Sequence, residues 1–375
     1  MITRKLEQTI LSKIGQKKAI ILLGARQVGK TTLVKKLFAE QPNLLWLSGD
    51  DPNVNLLFEN ISTARLQAII GQNKTVIIDE AQKISNIGLK MKLITDYIPD
   101  VQLIATGSSA FELQNKLNEP LTGRKWEYIM YPVSFSEMVD YHGFMKEHAL
   151  LSHRLVFGYY PEVVCNAGNE KELLNLLYGS YLYKDILLLD DIKKSDKLQK
   201  LLQALAYQIG SQVSYTELGR LCELDYKTVE KYIILLEQCF VIFRLGSFSR
   251  NLRSELKNSR KIYFWDNGVR NAIISNFNPL ELRDDIGSLW ENFMISERIK
   301  KLYYNKLYSN YWFWRTQQQQ EIDFIEERDG KISAFEFKWN PKANTKIPKL
   351  FLEKYENSSF QIINKDNYFE FLHEN

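Results

Sequence analysis

Eight consecutive residues constrain this chain more than any others: Gly24, Ala25, Arg26, Gln27, Val28, Gly29, Lys30 and Thr31. They lie between the apolar run 19–23 and a helix-forming stretch, TTLVKKLF. Glycines at the first and sixth positions, then Lys-Thr, between a strand and a helix, meet the pattern G-x-x-x-x-G-K-[ST] in its required context. Gly24 and Gly29 let the backbone curl with its N–H groups inward. The helix N-terminus adds the positive end of its dipole. A chance glycine-rich turn is the competing reading, and the flanking strand and helix argue against it. Lys30 is placed for the β- and γ-phosphates and Thr31 for a metal ion, with Gln27 and Thr32 completing the contact set. The expected ligand is ATP with Mg²⁺.

Three more apolar runs follow, at 44–47, 75–78 and 101–105, and each ends in polar residues. Short apolar runs separated by helical stretches predict a parallel sheet covered on both faces. Open sheets of that kind bind ligands at the carboxyl ends of their strands. After the third run come Asp79, expected in the Mg²⁺ shell, and Glu80, placed to orient or deprotonate a water. That adjacent glutamate argues for hydrolysis over nucleotide sensing. After the fourth run, Thr106, Ser108 or Ser109 either contacts the γ-phosphate or caps the next helix. Arg124 is a candidate for stabilising charge on the transferring phosphoryl group, from its own or a neighbouring chain, or else a surface arginine.

The segments GARQVGKTT, SGDDP, TVIIDEAQKI, ATGSSAFEL and LTGRKWEYIMYPVSFSEM resemble, in order and spacing, the AAA-type ATPases of a prokaryotic family. In that family a domain called DUF4143 follows the ATPase domain. The resemblance implies a P-loop ATPase fold over about the first 140 residues, with Lys30, Thr31, Asp79 and Glu80 in the roles above. Later segments, YLYKDILLL and SRNLRSELKNSRKIYFWDNGVRNAI, resemble the appended domain. Lys184 stands where an arginine is expected, which puts a bidentate anion role there in doubt.

Residues 214–241 carry a helix-turn-helix pattern. Leu218 and Leu221 are expected inward on the first helix, and Val229, Ile233 and Leu236 on the second. Thr228 is a cap or a phosphate contact. A following strand suggests the winged form. Positions 244, 250, 253, 257, 260 and 261 are basic and could track a phosphate backbone. Against this, winged helices also serve as protein-packing modules, and Glu230 and Glu237 sit beside Lys227 and Lys231.

The last third places Glu291 on an amphipathic helix, Asp323 in the alternating run EIDFIE, and Glu336 and Lys338 in ISAFEFKW. Alternation sets Ile322 and Phe324 on one face and Glu321 and Asp323 on the other. Helix Glu, strand Asp, then E-x-K resembles the PD-(D/E)xK nuclease core. Asp323 and Glu336, with Glu291, would bind Mg²⁺ and Lys338 would position the attacking water. The competing reading is a cross-strand ion pair.

Length and pattern together predict an α/β chain in four parts. These are a P-loop AAA-like ATPase domain (1–141), a helical connection (142–205), a winged helix-turn-helix (206–262) and a nuclease-like domain (263–375). Three cysteines without CxxC spacing exclude a disulfide framework and a structural zinc. A net charge of +4 is too mild by itself to indicate nucleic acid. No apolar run approaches the ~18 residues of a membrane span, and the N-terminus lacks a signal peptide's apolar core, so a cytoplasmic protein is expected. None of the four histidines lies near a Ser or Cys nucleophile, which argues against triad chemistry. The expected partners are ATP and DNA, with a homo-oligomer or a protein partner as the alternative.

Overall fold

The computed structural model describes every residue except 60, 109–120, 183–194, 251–259, 317, 319, 344–348 and 374–375. Ser109, Lys184, and the basic positions 253 and 257 lie outside the described residues. The chain forms two compact units, one of residues 1–132 with 238–240 and one of 133–237 with 241–375.

The first unit is built on a five-stranded parallel sheet in the order β2-β3-β4-β1-β5. Its strands are β1 (Ala19–Leu23), β2 (Leu44–Ser48), β3 (Thr75–Asp79), β4 (Gln102–Gly107) and β5 (Lys125–Ile129). β1 and β3 are buried at every position, which is why their sequences are continuously apolar rather than alternating. Helix Lys30–Leu37 links β1 to β2, and helix Ile87–Tyr97 links β3 to β4. The segment SGDDP starts a helix: Asp51 accepts from the Asn53 N–H at 2.8 Å and Pro52 opens helix Pro52–Leu57. β5 has no counterpart among the four apolar runs. It is an edge strand, half-buried throughout, so its sequence KWEYI carries no continuous apolar signal.

The second unit begins with helix Phe135–His142, whose start is a capping box between Ser134 and Glu137. Further on, helices Ser195–Tyr207, Tyr215–Cys222 and Tyr226–Gln238 accompany a three-stranded antiparallel sheet, whose first strand lies between the first two of them. Its order is β6-β8-β7, with β6 (Gln212–Val213), β7 (Ile242–Gly246) and β8 (Arg260–Phe264). Val229, Ile233 and Leu236 are buried as expected, but Leu221 is 57% exposed and Cys222 takes the inward position. The cap of the second helix is Asp225, whose carboxylate accepts from the Thr228 N–H and hydroxyl at 2.9 and 2.6 Å. Thr228 is thereby committed as a donor.

The same unit ends in a four-stranded sheet, β12-β11-β10-β9. The strands are β9 (Asn310–Arg315), β10 (Glu321–Arg328), β11 (Lys331–Phe337) and β12 (Ser358–Ile363). Helix Ile286–Tyr304 precedes β9. Helix Lys349–Lys354 makes the crossover that the parallel pair β11–β12 requires. One face of the sheet packs Ile322, Ile325, Ile332 and Ala334 against Phe351 and Tyr355. Strict alternation would separate Ile322 from Ile325. A register shift between them against β9, of the kind a bulge makes, puts both in one cluster, while Phe324 stacks with Tyr311 and Phe335. No helix among the described residues is long and apolar enough to cross a membrane.

Candidate functional site

The register of the first sheet brings three strand ends level: Leu23 pairs with Gly107, and Ile78 with Ala105. The loop after β1, the Asp79–Glu80 pair after β3 and Thr106–Ser108 at the end of β4 therefore share one edge.

The loop turns through left-handed residues, Gln27 at φ 60° and Gly29 at φ 94°. At Gly24 a Cβ would sit 2.1 Å from the Met130 carbonyl oxygen, so only glycine fits beside the chain leaving β5. The Lys30 ammonium donates to the carbonyls of Gly24 and Ala25, both at 2.8 Å, which holds the loop curled around it. From outside, the buried Arg4 guanidinium donates to the carbonyls of Val28 and Tyr131, each at 2.7 Å. Those two bonds fix the back of the loop to the end of the sheet.

At the mouth of the loop the Thr31 hydroxyl is 3.1 Å from both Asp79 carboxylate oxygens. Thr32 is exposed on the same turn. The buried Thr106 hydroxyl donates to Asp79 Oδ1 at 2.5 Å and accepts from the Glu80 N–H at 3.1 Å. Thr106 thus orients the acidic pair. Glu80 has left-handed backbone, φ 49°. Its carboxylate accepts from Gln82 Nε2 at 2.6 Å and from the Ser108 hydroxyl at 3.1 Å, and Gln82 Nε2 also donates to Ser108 Oγ at 2.9 Å. The carboxylate is thereby fixed in orientation.

Arg124 lies at the other end of the sheet. Its backbone carbonyl accepts from Ala19 N–H, at the start of β1, while the phosphate loop follows the end of that strand. Five strand residues, about 13 Å, separate the two. The guanidinium pairs instead with Asp96 at 2.5 Å. It does not reach the loop of its own chain.

In the second unit the residues Glu291, Asp323, Glu336 and Lys338 do come together. β10 and β11 pair Phe324 with Phe335, which sets Asp323 opposite Glu336. Asp323 Oδ2 accepts from the Phe337 N–H at 2.8 Å, and Lys338 pairs with Glu336 at 2.7 Å. Burial, reinforced by the charges of Glu291 and Glu336, pushes the Asp323 carboxyl well above its ordinary range. Burial also raises Glu336, against the pull of Lys338.

Another cation enters this cluster. Lys261 of β8, expected on a basic surface, is 2% exposed and pairs with Glu291 at 3.0 Å and with Glu321. The buried Tyr263 hydroxyl donates to the same Glu291 oxygen at 2.6 Å. Among the described residues no three His, Cys, Asp or Glu side chains are arranged to hold a metal ion. The carboxylates expected to hold Mg²⁺, Glu291, Asp323 and Glu336, lie together with Lys261 paired to Glu291 and Lys338 paired to Glu336. Arg244 also leaves the expected basic surface, paired at 2.5 Å with Glu237 and hydrogen-bonded to Tyr215 at 3.2 Å.

Comparison with known families matches residues 16–139 to the AAA domain and residues 286–372 to the domain of unknown function DUF4143. The chain carries an AAA domain followed by a DUF4143 domain. Between them, residues 148–280 match a further domain of unknown function, DUF8612. An uncharacterized protein of Mycobacterium bovis is 24% identical over 327 residues, covering 85% of this chain and 70% of the relative. One from Methanocaldococcus jannaschii is 25% identical over 69% of this chain and 63% of its own length. Among solved structures, a Walker-type ATPase of Pyrococcus abyssi shares the fold, with a TM-score of 0.51 at 16% identity over 73% of this chain and 96% of that one.

Two residues of the AAA domain site carry no role in the motif. Gln82 sits three residues past Asp79, and its only sequence signal is its place in DEAQ. Arg4 gives no signal at all, since nothing in the charged N-terminal residues marks a side chain that returns to the loop. Cys222 and Cys239 are buried, as their apolar surroundings suggest.

Proposed function

We propose that this chain binds ATP with Mg²⁺ at Gly24–Thr31 and hydrolyses it. The observation that carries the reading is the junction of Thr31, Asp79 and Thr106 beside a Glu80 held by Gln82 and Ser108. The Thr31 hydroxyl and the Asp79 carboxylate are the donor set that a Mg²⁺ shared with phosphate requires. Lys30 would leave the Gly24 and Ala25 carbonyls for the β- and γ-phosphates. Gln27, Gly29 and Thr32 complete the phosphate contacts, and Glu80 would orient the attacking water. The AAA domain match supports nucleotide binding. The test is phosphate release from radiolabelled ATP by the purified chain: Lys30→Ala should lower it by about a hundredfold or more, and equal rates would remove the assignment.

The turnover would act as a switch on the second unit. In one reading that unit engages DNA through a winged helix-turn-helix, and its nuclease-like end cuts with Mg²⁺. The helices Tyr215–Cys222 and Tyr226–Gln238 followed by antiparallel β7 and β8 support the winged form. In the other reading the partner is a protein and the nuclease-like fold is inactive. The burial of Lys261 among the carboxylates and the pairing of Arg244 with Glu237 favour the second. Duplex DNA binding measured across salt decides between them: affinity falling steeply with salt supports the first, and no binding supports the second.

A further inference from the structure

Four carboxylates gather at the C-terminal cluster, Glu291, Glu321, Asp323 and Glu336, yet no divalent-ion geometry results. Buried carboxylates need compensating positive charge close by. Here it comes from the chain itself. Lys261 reaches in from β8 with its stem covered, its ammonium 5.5 Å from the Phe313 ring centre and paired with Glu291 and Glu321. Its charge bears on Asp323 and Glu336 as well. Lys338 covers only one side of Glu336, whose Oε2 is buried without a hydrogen-bond partner. Gly210 lies against Glu291, where a Cβ would meet its carboxylate at 3.3 Å, and Tyr263 closes the remaining side. Glu291 is therefore held toward Lys261 by two donors.

We propose that Lys261 is a tethered cation that takes the place of a divalent ion in this cluster, so that the native chain has no metal site there and loss of the lysine's charge creates one. An ammonium contributes one charge and donates hydrogen bonds; a divalent ion contributes two and accepts oxygen ligands. Both cannot share Glu291 and Asp323 at close range. The inference rests on the carboxylate arrangement and stands apart from the ATPase reading, since it is tested without nucleotide.

The experiment is Mn²⁺ titration of the full chain, followed by electron paramagnetic resonance of the free ion, for the parent, Asp323→Asn, Lys261→Met and the double variant. The parent and Asp323→Asn should bind Mn²⁺ identically. Lys261→Met should gain one site about tenfold or more tighter than anything Asp323-dependent in the parent, and the double variant should lose it. A Mn²⁺ site in the parent that Asp323→Asn abolishes would overturn the proposal. So would a folded Lys261→Met, with parental circular dichroism, that gains no site. Should Lys261→Met not fold, the comparison of parent with Asp323→Asn decides alone.

Discussion

The Thr31 hydroxyl and the Asp79 carboxylate, 48 positions apart in the chain, meet at 3.1 Å. The strand order explains the meeting. β4 lies between β1 and β3, so the loop after β1 and the acid after β3 face each other across the end of β4. Thr106, on that end, bonds Asp79 and fixes the pair. One sheet edge thus brings together the Gly24–Thr31 loop, the Thr31–Asp79 pair and an oriented Glu80.

Gln82 should matter through Glu80 and the Ser108 hydroxyl that bonds the same carboxylate. Its amide holds one carboxylate oxygen at 2.6 Å. Gln82→Ala should lower kcat for ATP about tenfold and leave KM within about twofold, because the group it orients acts in the chemical step. Steady-state kinetics would show this. A raised KM at unchanged kcat would place Gln82 in binding instead.

Gly24→Ala puts a methyl 2.1 Å from the Met130 carbonyl oxygen. The loop or β5 must shift, at a cost of roughly 1–3 kcal/mol in strain. Denaturant melts should show the loss, and fluorescent-nucleotide titration should show weakened ATP binding at temperatures where the variant is folded. Parental affinity and stability together would mean the loop is softer than its geometry.

Arg124 should be dispensable within its own chain. Arg124→Ala should leave hydrolysis within about twofold in dilute protein. Its exposed pair with Asp96 is worth under about 1 kcal/mol. A loss of a hundredfold or more that grows with protein concentration would place this arginine in a neighbouring site.

The nucleotide edge was legible because its chemistry is local. Four apolar runs with polar ends fix four strands and the edge they share, and the motif from Gly24 to Thr31 fixes its orientation. β5 escaped because an edge strand needs no continuous apolar run. The place of Arg124 just before β5 was not legible because a polar residue before a strand looks the same as one after it. The C-terminal residues Glu291, Asp323, Glu336 and Lys338 do lie together, but the buried cation beside them was not legible: Lys261 lies 62 positions from Asp323, and no local pattern marks which basic residue of a run will be buried. Leu221 failed for a smaller reason, since helical period alone leaves the inward choice open between it and Cys222.

Asp266 supplies a pH signature independent of catalysis. It caps helix Asn267–Ile273 through the Val269 N–H at 3.0 Å, and its other oxygen accepts from Tyr159 N–H at 2.6 Å. Burial raises its carboxyl above the ordinary range, although those backbone donors pull it down. The folded chain then keeps a proton that the unfolded chain releases near pH ~3.9. Stability from this group falls as pH rises from that value through the raised one. Asp266→Asn removes the titration, so the variant should gain on the parent as pH goes from 4 to 7 in denaturant melts. A constant gap would show that Asp266 is ionised throughout.

Glu80→Gln separates nucleotide binding from hydrolysis at this sheet edge. With Gln82 and Ser108 still able to hold an amide, nucleotide affinity should stay within about threefold while phosphate release falls by about a hundredfold or more. Phosphate release at the parental rate, with ATP bound as tightly, would contradict the account.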